Sequence, residues 1–315
     1  MDGDQQEPSA DPALDAVWGA YCRWDDASIA RKKRLDGSRG VIFTLLVGAA
    51  VAGVLASQYK QLHWVAGVAA ALSAGAALLG HGTAGPAVER LWLVARAAAE
   101  TLKSEAFKYS AGADPYNQVD RQERLLATVG AVEGDNIAGI AAAPPRASRA
   151  LPRGALGQTD YLRARVDDQL NWYEAKAGFY NRRASLWHRL SLAEGLGAAM
   201  IGGLAASAPG MQFLGAWVAV GGTLSGIFAA YVAGARFTYL AQSYELTARR
   251  LRHLRTGWDL VPSDQRDAKW NKFVLQCEST ISAEREQWMK EWQRQIAAAA
   301  QLVPENSGAS TSPGA

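Results

Sequence analysis

Four long apolar runs constrain this chain more than any other feature. They cover residues 40–57, 62–80, 190–208 and 211–235. The first, second and fourth hold no Asp, Glu, Lys or Arg, and the third holds only Glu194. A helix needs roughly 17–25 mostly apolar residues to cross a bilayer, and each run meets that length. In lipid a helix satisfies its own backbone, so open strands are excluded. The runs are paired by very short connections, residues 58–61 and Pro209-Gly210. Such turns predict two antiparallel helical hairpins. Mean hydropathy over the whole chain is near zero, so the signal lies in how the apolar residues are grouped.

The basic residues predict orientation. Arg31, Lys32, Lys33, Arg34 and Arg39 precede the first run, and Arg90, Arg96 and Lys103 follow the second. Lys176, Arg182, Arg183 and Arg189 precede the third, and Arg236 with the cluster Arg249, Arg250, Arg252 and Arg255 follows the fourth. The hairpin turns carry only Lys60. Positive charge stays on the cytoplasmic side, so both termini and the central linker are expected there, on the plasma (inner) membrane of a bacterium. The acidic start of the chain lacks the basic and apolar regions of a signal peptide, so insertion is expected to use the runs themselves.

The predicted fold class is an all-α, multi-pass membrane protein: two tandem two-helix hairpins with long cytoplasmic helical extensions. Residues 1–12 read as a disordered tail and 13–133 as the first unit. Residues 134–158, rich in Ala, Pro, Gly and Ser, read as a flexible linker. Residues 159–302 form the second unit and 303–315 a disordered tail. Val166, Leu170, Tyr173, Ala177, Tyr180, Ala184 and Trp187 alternate by four and three, the seam of a packed helix. No breaker separates this seam from the third run, so one helix is expected to pass from the cytoplasm into the membrane. The fourth run is likewise expected to continue through Tyr239, Leu246 and Leu251. Leu14, Val17, Trp18, Tyr21 and Trp24, and later Phe273, Cys277, Ile281, Trp288 and Trp292, form further packing stripes. Pro86 suits a helix start.

Several residues are candidates for function. Gly67, Ala71 and Gly75, and Gly222, Gly226, Ala230 and Gly234, repeat every four residues. That spacing predicts a small-residue face for close helix packing, within a hairpin or between subunits, with a pore-lining face as the alternative. Glu194 is costly in lipid. It either bonds a nearby Arg at the interface or sits at a pore mouth, with Thr223 and Ser225 as further pore or gating candidates. The Arg249, Arg250, Arg252 and Arg255 cluster is an anion contact or simply the orientation signal, with anionic lipid as its counter-charge. Cys22 and Cys277 have no metal-ligand neighbours and are expected as buried thiols. No phosphate-cradling loop, zinc-protease helix or nucleophile elbow is present, so the chain is expected to be no enzyme and to need no cofactor.

The stretch DDQLNWYEAKAGFYNRRASLWH, residues 167–188, resembles the helix that leads into the membrane in SLATT domains, the SMODS and SLOG-associating two-transmembrane effectors. Trp172, Tyr173, Lys176 and Ala177 carry its WY-x-x-KA pattern. FVLQCESTISAEREQWMKEW, residues 273–292, resembles that family's C-terminal helix through Glu278, Glu284 and Trp288. WLVARAAAETLKSEAFKYSAGADPY, residues 92–116, resembles a second subtype, although the first unit lacks the WY-x-x-KA pattern. The resemblance implies a bacterial effector that oligomerises and forms a pore or disrupts the membrane in antiphage or other conflict systems, when a nucleotide-type signal is sensed. Its partners would be the bilayer, further copies of itself, and a nucleotide signal or a nucleotide-generating or nucleotide-sensing protein. The alternative is a membrane-anchored helical module that recruits a cytoplasmic partner without forming a pore.

Overall fold

The computed structural model describes residues 11–136, 155–207 and 210–301. Among them every regular element is helical and no strand occurs. Helix α1 (Pro12–Gln58) opens with Asp11 as N-cap, whose carboxylate accepts from the Ala13 and Leu14 amides at 3.1 and 3.3 Å. Pro12 at the first helical position loses no hydrogen bond there. A short 3₁₀ turn, Lys60–Leu62, reverses the chain into α2 (Trp64–Thr83). Gly85 and Pro86 then end that direction and start α3 (Pro86–Ser110), where the sequence placed a helix start. Next come α4 (Arg121–Asn136) and the single turn α5 (Gln158–Tyr161). A π-helical turn, Leu162–Asp167, leads into α6 (Asp168–Ser207). After a second tight reversal come α7 (Gly215–Ala235), α8 (Phe237–Asp259) and α9 (Arg266–Gln301). Most of the linker expected over 134–158, residues 1–10 of the expected N-terminal tail and all of the C-terminal one lie outside the described residues, while Asp11 and Pro12, placed in that tail, cap and begin α1.

Two helices cross the polar–apolar boundary unbroken. At 1.5 Å per residue, the 47 residues of α1 span about 70 Å and the 40 of α6 about 60 Å. Both are far longer than the roughly 30 Å hydrocarbon core. The seam read on α6 is the face that packs: Val166 and Tyr173 are buried, and Leu170, Ala177, Tyr180, Ala184 and Trp187 are half-buried. The fourth run behaves differently from the expectation of a continuous helix. The chain breaks at Arg236, which takes a left-handed conformation (φ 51°, ψ 35°) between α7 and α8.

Outside the apolar runs the two units share one hydrophobic core. Leu14, Val17, Trp18, Tyr21 and Trp24 of α1 join Leu102 and Phe107 of α3, Tyr244 and Leu251 of α8, and Val274 and Cys277 of α9 in a single buried cluster. Phe107 meets Trp18 edge-on on one side and Tyr161 on the other, with ring centroids 6.0 and 6.3 Å apart. Polar clasps reinforce the join. The Trp270 indole N–H donates to the Ala111 carbonyl at 2.9 Å, and Asn271 bonds both the Asp114 amide and its carboxylate, at 2.9 and 2.5 Å. The tandem units read from the sequence are therefore one folded body outside the membrane.

Four helices are long and apolar enough to cross a membrane. They lie in a row, in the order α2, α1, α7, α6, with each packing on its neighbour. Neither α2 nor α1 packs substantially on α6's apolar half, so the row is an open layer and encloses nothing. The two reversals sit at the same end, since the Gln58 side-chain amide donates to the Phe213 carbonyl at 2.6 Å. Both hairpins thus point the same way. At the opposite end Phe43 of α1, Trp187 of α6, and Phe228 and Tyr231 of α7 form an aromatic cluster with centroids 4.7–5.7 Å apart.

The small-residue faces are only partly used within this chain. The close approach within the second hairpin is made by Gly221. A Cβ there would lie 2.7 Å from the Ala198 Cβ. Gly222 and Gly226 are exposed with open space beside both, Ala230 is exposed but borders a hollow shared with Ile42, Phe43 and Leu46 of α1, and Gly234 is half-buried. Gly67 and Ala71 are also exposed, whereas Gly75 lies in ordinary contact with Leu45 at 3.9 Å. Adjacent helix positions differ by about 100° in direction, so Gly221 and Gly222 serve different faces. Gly221→Leu is expected to lower stability by about 1–3 kcal/mol through overpacking, while Gly226→Leu changes it by less than about 0.5 kcal/mol. Thermal unfolding of the purified protein in detergent checks both.

Candidate functional site

The interior of the extramembrane body is pinned by a buried ion pair. Arg165 donates to both carboxylate oxygens of Glu278, Nε to Oε1 at 2.8 Å and Nη2 to Oε2 at 2.6 Å. The Tyr161 hydroxyl donates to the same Oε1 at 2.9 Å. Arg165 is 0% and Glu278 3% exposed. The guanidinium also lies 4.9 Å from the Phe107 ring centroid. Tyr161, just before the π-helical turn, and Arg165, within it, both reach Glu278, and such a distortion often marks functional positions. Burial works against charge on Arg165, but the Glu278 carboxylate more than offsets it and holds the guanidinium protonated. Burial also pushes the Tyr161 phenol and the neighbouring Cys277 thiol up. This pair ties α9 to the start of α6, with α3 lying against it.

A second charged knot sits where the body meets the membrane layer. Glu89, near the start of α3, accepts from Arg39 of α1 at 3.2 Å and lies 4.0 Å from Arg236 at the α7–α8 break. All three side chains are less than 20% exposed. A left-handed non-glycine residue costs of order 1–3 kcal/mol, so its surroundings must hold it. Glu89 is one of its contacts, and it joins one helix junction in each unit.

Between the two knots runs a cleft of about 700 Å³. One wall is α1 and α3, the other α6 and α8, so the cleft lies between the units. Trp172 and Tyr244 meet edge-on in it, with centroids 5.3 Å apart, and Trp172 remains 36% exposed. Arg96 lies 6.0 Å from the Trp172 ring centroid and donates to the Tyr244 hydroxyl at 3.3 Å. Lys103 lies 5.8 Å from the Tyr21 ring and Lys32 4.8 Å from the Trp92 ring. Burial lowers the pKa of both lysines. For Lys32 the Asp36 carboxylate partly opposes this, and for Lys103 the Arg165 charge adds to it.

The residues singled out from sequence distribute unevenly over these features. Trp172, Tyr173 and Ala177 lie on α6 and face the shared core or its margin, and Lys176 is exposed beside Trp172. Glu278 is the buried acceptor above. The side chains of Glu284 and Trp288 lie outside the described residues. Glu194 bonds no arginine. It accepts from the Ser225 hydroxyl on α7 at 2.5 Å, and its other oxygen is buried without a hydrogen-bond partner among the described residues. Thr223 donates to the Ala219 carbonyl of its own helix. Arg249 pairs with Glu245, Arg252 with Glu174, and Arg255 with Asp167 and Asp259, so three of the four proposed anion contacts are already engaged by carboxylates. Sequence reasoning missed Arg165, Glu89, Gly221 and the cleft. The one available trace of Arg165 was its place next to Val166, the first residue of the seam.

Residues 161–288 match the family model for SMODS and SLOG-associating 2TM effector domain 1. The second unit is a domain of that family. The match to this effector domain begins at Tyr161 and so takes in the whole Tyr161–Arg165–Glu278 cluster, the second hairpin and most of α9. Residues 24–124 match a separate model described as a protein of unknown function (DUF4231). No curated protein and no solved structure matches. The ion pair gives the effector domain its clearest point of attack. Glu278→Ala, which leaves Arg165 charged and buried, is expected to cost about 3–5 kcal/mol. Denaturant unfolding followed by tryptophan fluorescence measures the loss.

Proposed function

We propose that this protein is a bacterial membrane effector that oligomerises and opens a pore, or otherwise disrupts the inner membrane, as the output of a conflict system answering a nucleotide-type signal. The observation that carries the reading is the open row of four apolar helices. Little of it is buried within the chain: none of the most apolar window of α6 and 11% of each of the other three. A row with two open faces encloses a path only when several copies close around one. The exposed Gly222, Gly226 and Ala230 face of α7 lets another helix approach closely without clash. The effector-domain match supports the same reading, since its description names a two-transmembrane effector. Both termini and the folded body lie in the cytoplasm on this reading, in keeping with the basic flanks. The protein performs no catalysis.

The unbroken helices α1 and α6 supply the mechanics. Each is rigid across the boundary, so a change in how they pack in the body alters their spacing in the membrane. Dye or ion release from liposomes carrying the purified protein tests the reading, with cross-linking in the same vesicles. We expect multimers and release once the activating partner or signal is present. In Gly226→Leu, multimers and release both fall at least about tenfold, a loss of about 1.4 kcal/mol or more, while folding is retained. A protein that stays monomeric and releases nothing in any condition refutes it.

A further inference from the structure

Where the two hairpins meet, the membrane layer holds a hollow that neither hairpin fills. Its volume is about 290 Å³, walled by Ile42, Phe43 and Leu46 of α1 and by Ile227, Ala230 and Tyr231 of α7. Among the described residues Arg39, at one end, is the only charged group that lines it. Arg39 and Gly234 also line a second hollow of about 520 Å³, so the two adjoin. The charged residues of the second are Arg39, Glu89 and Arg236, the knot at the membrane boundary. At 1.5 Å per residue, Leu46 lies about 10 Å from Arg39 along α1, and Ile227 about 13 Å from Arg236 along α7. The apolar hollow thus occupies the first turns of the bilayer core, and the charged one lies at headgroup depth.

An apolar space at that depth faces hydrocarbon rather than water. Left empty, its walls forfeit their contacts on one side, and water needs polar partners that those walls do not offer. An acyl chain supplies the missing contacts. The charged end then selects the headgroup. Two guanidiniums stand against one carboxylate, so the three groups sum to one positive charge. Lys32, close enough to interact with both Arg39 and Glu89, is itself paired with Asp36 at 2.8 Å. Arg39 donates through Nη2 to Glu89, and a guanidinium has five donors, so it can hold a phosphate with that pair intact. We propose that the seam between the hairpins is a binding site for one anionic phospholipid. Its phosphate meets Arg39 and Arg236, and one acyl chain lies between α1 and α7 against Phe43 and Tyr231. Basic pockets between membrane helices on the cytoplasmic side take anionic headgroups in this way. A zwitterionic lipid would fill the apolar part but leave the charge of the knot unbalanced.

Such a lipid touches one hairpin of each unit and the left-handed junction between α7 and α8. The site stands without the pore reading: Gly222 and Gly226 do not line it, and its test involves no flux. The full chain, purified in mild detergent, is titrated with phosphatidylglycerol, phosphatidylethanolamine and phosphatidylcholine of the same acyl chains, and bound lipid is counted by native mass spectrometry. One phosphatidylglycerol per chain is expected to bind at least about fivefold more tightly than either zwitterionic lipid. Arg39→Gln is expected to weaken it about fivefold. Because that change also opens the knot, Ala230→Leu provides a second variant at an exposed position. It fills the hollow and is expected to weaken binding about tenfold. Ala229→Leu, exposed and outside the lining, leaves the affinity unchanged. Thermal unfolding of each variant confirms the fold. Gly226→Leu is expected to keep the lipid whether or not multimers form. Four results overturn the proposal: equal affinity for the three lipids, no lipid that saturates at one per chain, an affinity indifferent to Ala230→Leu, or lipid lost together with multimers in Gly226→Leu, which would assign the hollow to a second copy.

Discussion

The body of this protein is organised around one buried charge pair. Removing an arginine and a glutamate from water is expensive, and their attraction repays it only with close geometry and further hydrogen bonds; Arg165 Nη1 alone of the pair's polar atoms is buried without a hydrogen-bond partner among the described residues. Here both carboxylate oxygens of Glu278 are used. Arg165 takes both, Tyr161 shares one, and Phe107 covers the guanidinium. Three chain segments distant in sequence meet at that point: α3, the turn leading into α6, and α9. Hydrophobic contact alone is non-directional. The ion pair, satisfied in only one arrangement, fixes the register of α9 against α6.

That register has consequences far from the pair. With α9 held, Trp270 and Asn271 reach the loop after α3 and bond Ala111 and Asp114. The first unit is thereby locked to the second. The Arg39–Glu89–Arg236 knot repeats the lock at the membrane boundary, beside the left-handed Arg236. The cleft is the space left between these two fastenings. Its walls are fixed at both ends, while the helices lining it continue into the membrane as unbroken rods. A body clamped in this way and a membrane layer left open suit a device whose output depends on further copies.

Much of this was legible in the sequence. The four runs, the hairpin turns and the seam from Val166 to Trp187 are local patterns, and local patterns set by backbone hydrogen bonding and burial can be read along one chain. The common orientation of the hairpins followed from the basic flanks, and the Gln58–Phe213 bond at their shared end agrees with it. Glu278 stood out through a family pattern, without its partner. Nothing in the local sequence distinguished Arg165 from the other arginines of that segment. Only the fold reveals that the position is enclosed.

The misreadings share one physical cause. A four-residue period marks a helix face but not what it meets, so the face of Gly222 was legible while the contact made by Gly221 was not. For Glu194 the sequence left an interfacial arginine and a pore mouth both open, and it could not show that Ser225, on the opposite helix of the hairpin, donates to it. Neither glycine nor proline stands at the break itself, Arg236, and its contact Glu89 lies 147 positions away. By itself the sequence determined which segments are helices, which of them suit a bilayer and how the hairpins point, since each depends on residues within a few turns. The tertiary structure decided that the two units form one body, that the membrane helices stand in an open row, and that charge and aromatic rings gather in a cleft between the units. Those outcomes depend on contacts between residues a hundred or more positions apart, which no local pattern encodes.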